Sequence, residues 1–329
     1  MALDGTTLYI GGSFTMVGAT TRNGIAAINA QTGSLLSWNP GITGGSQQVS
    51  KIIPYAGKVY VFGDFTTAGG SARNRGAALD ATTGLATSWD PNFNNTVLDA
   101  EIDTTTAFVY AGGQFTTING GTGRNHLAGI DLATGLDTGW NPNADGTVWS
   151  LDLEGSNVYV GGEFLNVNGA TPRNYVAAVA KTNGVATTWD PNADDFVFKV
   201  IASAPTVWLG GRFTTIGGFG RNRAAAVNTF DAGVQPFNPN PNGEVFTMQL
   251  ISPNLIYLAG SFSTVGGSSR TGYASISTIF STANIWTADS AGGPNLPKVI
   301  LQTPWAVFLG GQWTSINAVS RIGFAATVP

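Results

Sequence analysis

The sequence predicts an all-β chain, and two observations carry the prediction. The phrase Gly-Gly-x-Phe-Thr recurs with its aromatic at Phe14, Phe65, Phe115, Phe164, Phe213, Phe262 and Trp313, at intervals of 51, 50, 49, 49, 49 and 51 residues. Within each interval, short β-branched and aromatic runs alternate with turn residues, and no stretch sustains a 3.6-residue apolar period. A unit of that length cannot bury both its faces alone, so neighbouring units must stack. Seven such units, each read as four antiparallel strands, predict a seven-bladed β-propeller over residues 1–329, its last blade incomplete.

The fourth repeat shows the elements most clearly. Val148-Trp149-Ser150-Leu151-Asp152-Leu153 reads as the first, inner strand and ends at the turn Glu154-Gly155-Ser156-Asn157. Val158-Tyr159-Val160-Gly161-Gly162-Glu163-Phe164 is the second strand. A loop to Pro172 leads through Arg173-Asn174 to the third, Tyr175-Val176-Ala177-Ala178-Val179. Thr182-Asn183-Gly184 then turns the chain into Val185-Ala186-Thr187-Thr188-Trp189, the fourth, which Asp190-Pro191-Asn192 terminates. Strand formers lie between residues whose side chains or rings set turns.

Glycine and alanine pairs such as Gly161-Gly162 and Ala177-Ala178 leave room for a neighbouring sheet. The aromatics Trp38, Trp89, Trp140, Trp189, Phe237 and Trp286 supply bulk at the wider outer part of each wedge. The repeat arginine always precedes that aromatic by 16 residues, so the connection between third and fourth strands is rigidly specified. Length varies mainly in the crossings between repeats, the longest being Pro40 to Gln48 and Asp289 to Pro297. The chain begins inside a first strand and stops at Pro329 after a third. The expectation is therefore a domain of a longer polypeptide, whose missing strand comes from flanking residues, from another chain, or not at all, leaving an edge open to self-assembly.

Composition narrows the partners. Fifteen Lys and Arg against 19 Asp and Glu, with net charge −4, argue against a nucleic-acid partner. Only 10% of residues are charged, against an ordinary share of about a quarter, and Gly, Thr, Asn and Ser provide the polar surface. That surface suits an extracellular or cell-surface setting. No run of 18 apolar residues is present, so no membrane span is expected. With no cysteine there is neither disulfide nor thiol chemistry, and a chain this size can bury roughly 75% of its unfolded surface without staples.

The motifs Val109-Tyr110-Ala111-Gly112-Gly113-Gln114-Phe115-Thr116, Arg124-Asn125, Asp131-Leu132-Ala133-Thr134-Gly135 and Trp140-Asn141-Pro142-Asn143 resemble the delta-60 type of bacterial β-propeller repeat. The resemblance spans essentially the whole chain and fades where Arg270-Thr271 and Arg321-Ile322 lose the asparagine. It implies a propeller domain of a secreted or surface-attached bacterial protein and no particular activity. Ala78-Leu79-Asp80-Ala81-Thr82-Thr83-Gly84 with Trp89 is also similar to the tryptophan-docking repeat of quinoprotein dehydrogenases. Seven repeats and no cysteine make that a similarity of packing, and no cofactor is expected.

Features common to all repeats are read as structural. Arg22, Arg73, Arg124, Arg173, Arg221, Arg270 and Arg321 are expected to hold loop carbonyls rather than capture anions. The Asp/Asn-Pro-Asn segments are turns, and calcium at Asn143 to Asp145 or Asp190 to Asp195 would need more ligands than the sequence offers, so no metal is assigned. Features that differ between repeats are the binding candidates. The residue between Gly-Gly and Phe is Ser13, Asp64, Gln114, Glu163, Arg212, Ser261 and Gln312 in turn, and Asp64, Gln114, Glu163 and Arg212 are the assigned site. The alternative is a polar lining with no ligand.

First-strand residues vary as well: Lys51, Asp99, Glu101, Trp149, Asp152, Phe198, Lys199 and Phe246. Asp99 and Glu101 alternate onto one face as a possible acid pair, without a second catalytic group. Trp149 and Trp305 are candidate sugar platforms or, on the favoured reading, core, and lone His126 is read as a loop residue with no catalytic residue around it. The function expected is a non-enzymatic interaction or structural module of a larger bacterial protein, its partner another protein or a surface polymer. The alternative is a glycan-binding propeller, and an enzyme is third.

Overall fold

A tryptophan that leaves its own repeat is the structural unit repeated along this chain. The structure, a computed structural model, describes residues 1–292 and 296–328, so the crossing from Asp289 to Pro297 lies partly, and the chain end at Pro329 wholly, outside the described residues. Among the described residues the regular elements are β-strands, with no helix. The chain forms two compact units. The first comprises Met1–Leu151, Asn166–Thr171 and Ala180–Val185; the second comprises Asp152–Leu165, Pro172–Val179 and Ala186–Pro329.

In the first unit, repeats one to three each form a three-stranded antiparallel sheet. Their strands are Ala2–Asp4, Thr7–Gly11 and Ile25–Asn29; Gln48–Tyr55, Lys58–Asp64 and Gly76–Asp80; and Val97–Asp103, Phe108–Gly113 and Leu127–Asp131. The second unit repeats the pattern with Val197–Ser203, Thr206–Gly211 and Ala224–Asn228, then Val245–Ser252, Leu255–Gly260 and Tyr273–Ser277, then Leu296–Gln302, Val307–Gln312 and Phe324–Thr327. A two-residue hairpin such as Thr117–Ile118 with Thr122–Gly123 projects between the second and third strands. The strands of the fourth repeat are divided between the units.

The expected fourth strand is mostly not one. It touches the third at a single bridge, as at Leu79 with Ala86, Ile130 with Asp137 and Val227 with Val234. Among the described residues only the sixth repeat extends it, over Ala283–Thr287. Its backbone is spent elsewhere. The repeat arginine reaches a carbonyl 14 residues on, Arg22 to Leu36 (2.9 Å), Arg221 to Gln235 (2.9 Å) and Arg270 to Asn284 (2.7 Å), with Arg73 and Arg173 on Thr87 and Thr187 in the same way. These arginines hold loop carbonyls, as their recurrence implied. Arg124 differs, taking the Asp137 carboxylate with two guanidinium nitrogens.

Beyond that point the segment serves the next repeat. The Trp38 indole donates to the Asp80 carbonyl (3.1 Å), Trp89 to Asp131 (3.0 Å), Trp140 to Ala180 (2.9 Å) and Trp189 to Asn228 (2.8 Å), each at or beside the end of the following third strand. Each indole stands edge-on to a tyrosine of its own second strand, with centroids 5.1 Å apart for Tyr9–Trp38, 5.2 Å for Tyr60–Trp89 and 5.0 Å for Tyr159–Trp189. The proline two residues after the tryptophan lends its carbonyl to the next hairpin, as Pro91 does to Asn119 (2.8 Å) and Pro191 to Gly217 (2.7 Å). The Arg-Asn and Pro-Asn motifs meet side chain to side chain, Asn74 with Asn92 (2.8 Å) and Asn174 with Asn192 (2.8 Å).

A charged contact adds to the clasp inside the first unit. Asp103, almost fully buried, sits 2.9 Å from the Lys181 ammonium. Burial opposes its ionisation, but the Thr105 hydroxyl and Lys181 outweigh it and hold the carboxyl at about 2. Its folded pKa lies below the unfolded value of about 3.9, so its contribution is complete above pH ~4 and disappears as pH falls toward 2. Asp103→Asn is therefore expected to flatten the fall in urea midpoint between pH 4 and 2. Trp189→Phe, which keeps the ring and removes the 2.8 Å bond to Asn228, should lower stability by about 1 kcal/mol in the same titration at pH 7.

Candidate functional site

The Gly-Gly pair builds the site by allowing a β-bulge opposite it. In the third repeat Val97 pairs with Gly113 and Asp99 with Gly112, so Leu98 has no partner. The same shift leaves out Ser50, Phe198, Phe246 and Lys298. At the second glycine a Cβ would lie 2.0 Å from the Gln48 carbonyl oxygen at Gly63, 2.3 Å from Thr96 at Gly113 and 1.9 Å from Glu244 at Gly260. At the first, it would lie 2.7 Å from Val148 Cγ1 at Gly112 and 2.7 Å from Val197 Cγ1 at Gly161, in the following repeat. One glycine admits the neighbouring sheet and the other admits the bulge, which re-aims the unpaired side chain.

In the first unit the residues that follow the bulge, Lys51 and Asp99, are polar. Lys51 Nζ lies 2.9 Å from Asp99 Oδ1 and 2.6 Å from Glu101 Oε1. Buried Asp99 also accepts from Ser150 Oγ and the Leu151 amide, both at 3.1 Å. Burial of the Lys51 ammonium opposes its charge, but the two carboxylates outweigh it and raise its pKa. Asp99 and Glu101, which sequence alternation placed on one face, share Lys51 in an ion-paired cluster.

In the second unit the bulged residues Phe198 and Phe246 are aromatic, where the first unit has Ser50 and Leu98. Phe196 and Phe198 lie 6.4 Å apart, Phe198 and Phe246 6.1 Å, and the Lys298 ammonium stands 4.4 Å above the Phe246 ring. Tyr175 closes the other end, 5.7 Å from Phe196. The Arg212 guanidinium covers Phe196 at 4.3 Å and grips Asp195 with Nε–Oδ2 2.8 Å and Nη2–Oδ1 3.0 Å. The hydrogen bond from Arg212 lowers the Asp195 pKa, and Asp195, then Glu244 and Glu163, raise that of Arg212. All four rings are half-buried, so each presents part of its face to solvent. The result is a ladder of partly exposed rings edged by both signs of charge.

Of the residues assigned from sequence, Asp64 and Gln114 lie in the first unit, Glu163 and Arg212 in the second. Asp64 accepts from the Ser46 amide (2.8 Å) and sits 3.6 Å from Arg75 Nε. Gln114 is exposed, its amide bonded to the Thr96 carbonyl (2.8 Å). Glu163 and Arg212 are within electrostatic reach of one another, and Arg212 alone of the four touches the ring ladder. Phe198 and Phe246 were singled out as variable first-strand residues, whereas Phe196 and Lys298 were missed because strict alternation takes no account of a bulge. Trp305 is 37% exposed and so is not core. The loop carboxylates considered for calcium are bound up in turns: Asp145 accepts from Asn166 (3.0 and 2.7 Å), and Asp194 from Thr214 and Thr215 (2.6–2.9 Å).

A second missed feature follows the Arg-Asn motif. The next residue is left-handed in all seven repeats, with φ +70° at Gly24, +61° at Arg75, +62° at His126, +65° at Tyr175, +61° at Arg223, +84° at Gly272 and +69° at Gly323. Glycine adopts that conformation freely, while arginine and tyrosine are strained in it. Its carbonyl accepts from the second glycine of the pair, as from Gly113 to His126 (3.0 Å) and Gly162 to Tyr175 (2.9 Å), which seats its side chain beside the variable polar residue. The left-handed conformation is therefore kept at four of seven equivalent positions by a residue other than glycine. The mixture of Gly with Arg, His and Tyr at one aligned position was the available signal.

No family model matches the chain, and no curated protein matches it either. Solved structures do. The computationally designed Ika8 protein superposes with a TM-score of 0.58 at 11% identity, covering 94% of this chain and 78% of that one. The WD40 β-propeller domain of Doa1 superposes at 0.54 with 13% identity, covering 84% and 79%. At these identities the similarity is one of fold, and the chain has a β-propeller-like all-β architecture.

His126→Gly should leave the thermal midpoint unchanged or raise it. It relieves about 1–2 kcal/mol of left-handed strain against the loss of one ring-nitrogen contact to the Gly113 carbonyl and the greater freedom of glycine when unfolded. A clear fall in calorimetry would show that the side chain is needed for folding.

Proposed function

We propose that this chain is a seven-bladed β-propeller of the delta-60 type acting as a non-enzymatic protein-interaction module within a larger extracellular or cell-surface protein. The observation that carries the reading is the ladder Tyr175, Phe196, Phe198 and Phe246, flanked by Arg212 and Lys298. Half-buried aromatics with arginine beside them are the composition of interface centres, where burying a ring contributes most of the binding energy. Glu163 and Arg212 supply charge at the rim, and Asp64 and Gln114 supply polar groups at the equivalent positions of the first unit. The reading includes no cofactor, no nucleic-acid partner and no membrane span.

A glycan-binding propeller is the second reading, favoured by exposed rings beside carboxylates. A lectin with one site per repeat needs the aromatic in every repeat, yet the bulge position carries Ser50 and Leu98 in the second and third. The ladder is therefore better matched to one extended partner surface. The test is a photoreactive benzoylphenylalanine at position 198 of the native polypeptide, run alongside a glycan array. A discrete protein adduct that Phe246→Ala abolishes is the expected result. Array binding abolished by the same substitution would replace the protein partner with a glycan, and neither signal would overturn the assignment of a binding surface here.

A further inference from the structure

The Lys51 cluster of the first unit holds more chemistry than an ion pair needs. Lys51 stands in the first strand of the second repeat, Gln48–Tyr55, while Asp99 and Glu101 stand in the first strand of the third, Val97–Asp103. The Ser50 hydroxyl, one residue before the lysine, donates to the Val97 carbonyl (2.6 Å) and so fixes the two strands against each other. Asp99 is 5% and Ser150 1% exposed, and Lys51 and Glu101 are half-buried.

The two oxygens of the Asp99 carboxyl have different surroundings. Oδ2 accepts from the Ser150 hydroxyl and from the Leu151 amide, both at 3.1 Å. Oδ1 faces the Lys51 ammonium at 2.9 Å and accepts from the Ala100 amide at 3.0 Å. The same ammonium meets Glu101 Oε1 at 2.6 Å. The cluster thus joins a nitrogen nucleophile to a carboxyl group whose far oxygen already has two donors, with a second carboxylate in proton-transfer range of the nitrogen. Those are the parts that amide formation requires.

We propose that Lys51 and Asp99 condense to a side-chain amide, an intramolecular cross-link made by the folded chain itself, with Glu101 carrying protons and Ser150 Oγ and the Leu151 N–H stabilising the oxyanion. Glu101 first relays a proton from Nζ to Asp99 Oδ1, which leaves a neutral amine beside a neutral acid. The flexible lysine stem lets the amine lone pair reach Cγ. The C–N bond forms, and the negative charge develops on Oδ2 between its two donors. Glu101 then moves a second proton from nitrogen to Oδ1, the C–Oδ1 bond breaks, and one water leaves. The raised pKa of Lys51 concerns loss of its proton to solvent; passage along the 2.6 Å bond to Glu101 keeps the proton inside the cluster and removes two charges from a buried site. Holding the groups in contact makes the condensation intramolecular, with effective molarities of about 10⁵ M or more. The product suits the site as it stands, its carbonyl oxygen keeping both donors and its N–H facing Glu101. In a chain without cysteine, the bond ties the first strands of two repeats together, the constraint that a disulfide supplies elsewhere. The cluster shares no residue with the phenylalanine ladder, so the two proposals stand or fall separately.

The test is intact mass spectrometry of the denatured full chain, followed by tryptic mapping. The unaltered protein is expected to be lighter than its sequence by one water. Trypsin should fail to cut after Lys51, whose peptide should be joined to the one carrying Asp99. Lys51→Arg and Glu101→Gln should have their full sequence masses. Asp99→Asn, whose leaving group is ammonia, should instead be lighter by one ammonia. A cooperative calorimetric transition in each variant separates loss of the bond from loss of the fold, and the unaltered protein alone is decisive should a variant fail to fold. Full mass in the unaltered protein would overturn the proposal and reduce the cluster to an ion pair. Loss of water from Lys51→Arg as well would overturn it by assigning the loss to another site. Complete cross-linking in Glu101→Gln would overturn the role given to Glu101.

Discussion

The indole hydrogen bond from one repeat to the main chain of the next is the contact on which the rest of the structure depends. A three-stranded sheet with an outer segment attached at one bridge would not hold that segment by its own ladder. The segment is fixed because its tryptophan is stacked edge-on against a tyrosine behind it and bonded to a carbonyl ahead of it, as Trp89 is between Tyr60 and Asp131. The arginine that takes the segment's carbonyl and the proline whose own carbonyl serves the next hairpin complete the same attachment. Stability is therefore distributed over junctions more than over sheets, which is the energetics of a repeat chain.

Given that attachment, the glycine pair decides where variable side chains go. Without a Cβ at either glycine the neighbouring first strand packs close and bulges at one fixed register, so the bulged residues of successive repeats come side by side. Residues just past the bulge in the first unit form the ion-paired cluster of Lys51, Asp99 and Glu101, and bulged phenylalanines in the second form the centre of the ladder. The scaffold is constant and the surface chemistry is free to differ between the two units, which suits a module that recognises an irregular partner.

The fifth repeat shows what happens when the attachment is altered. Trp208 in place of the tyrosine and Phe237 in place of the tryptophan preserve the edge-on ring pair, so packing survives. They remove both hydrogen bonds to the following main chain, the pair that Tyr159 makes to Thr229 and Trp189 to Asn228 one repeat earlier. The result is a junction that keeps its ring pair and its loop hydrogen bonds, such as Gly266 to the Pro239 carbonyl (2.7 Å), but holds a buried indole donor without a partner. A substitution that is conservative in volume is not conservative in hydrogen bonding, and the difference is visible only against the intact junctions beside it.

The sequence by itself determined the repeat, the all-β class, the strand order and the structural use of the arginines, because each rests on local chemistry: turn residues, strand propensity and a fixed 16-residue spacing. It did not determine that the segments ending in Trp38, Trp89 or Trp140 pair at only one bridge, because their aromatic periodicity is that of a strand whichever repeat the ring enters. Nor did it show that Phe198, Phe246 and Lys298 meet, since a bulge breaks the two-residue alternation from which faces are read and these contacts cross some 50 residues of chain. Left-handed backbone at Arg75, His126, Tyr175 and Arg223 was hidden for the same reason. Those conformations are imposed by the carbonyl each residue must present to a glycine in another strand, and only the tertiary structure brings the two together.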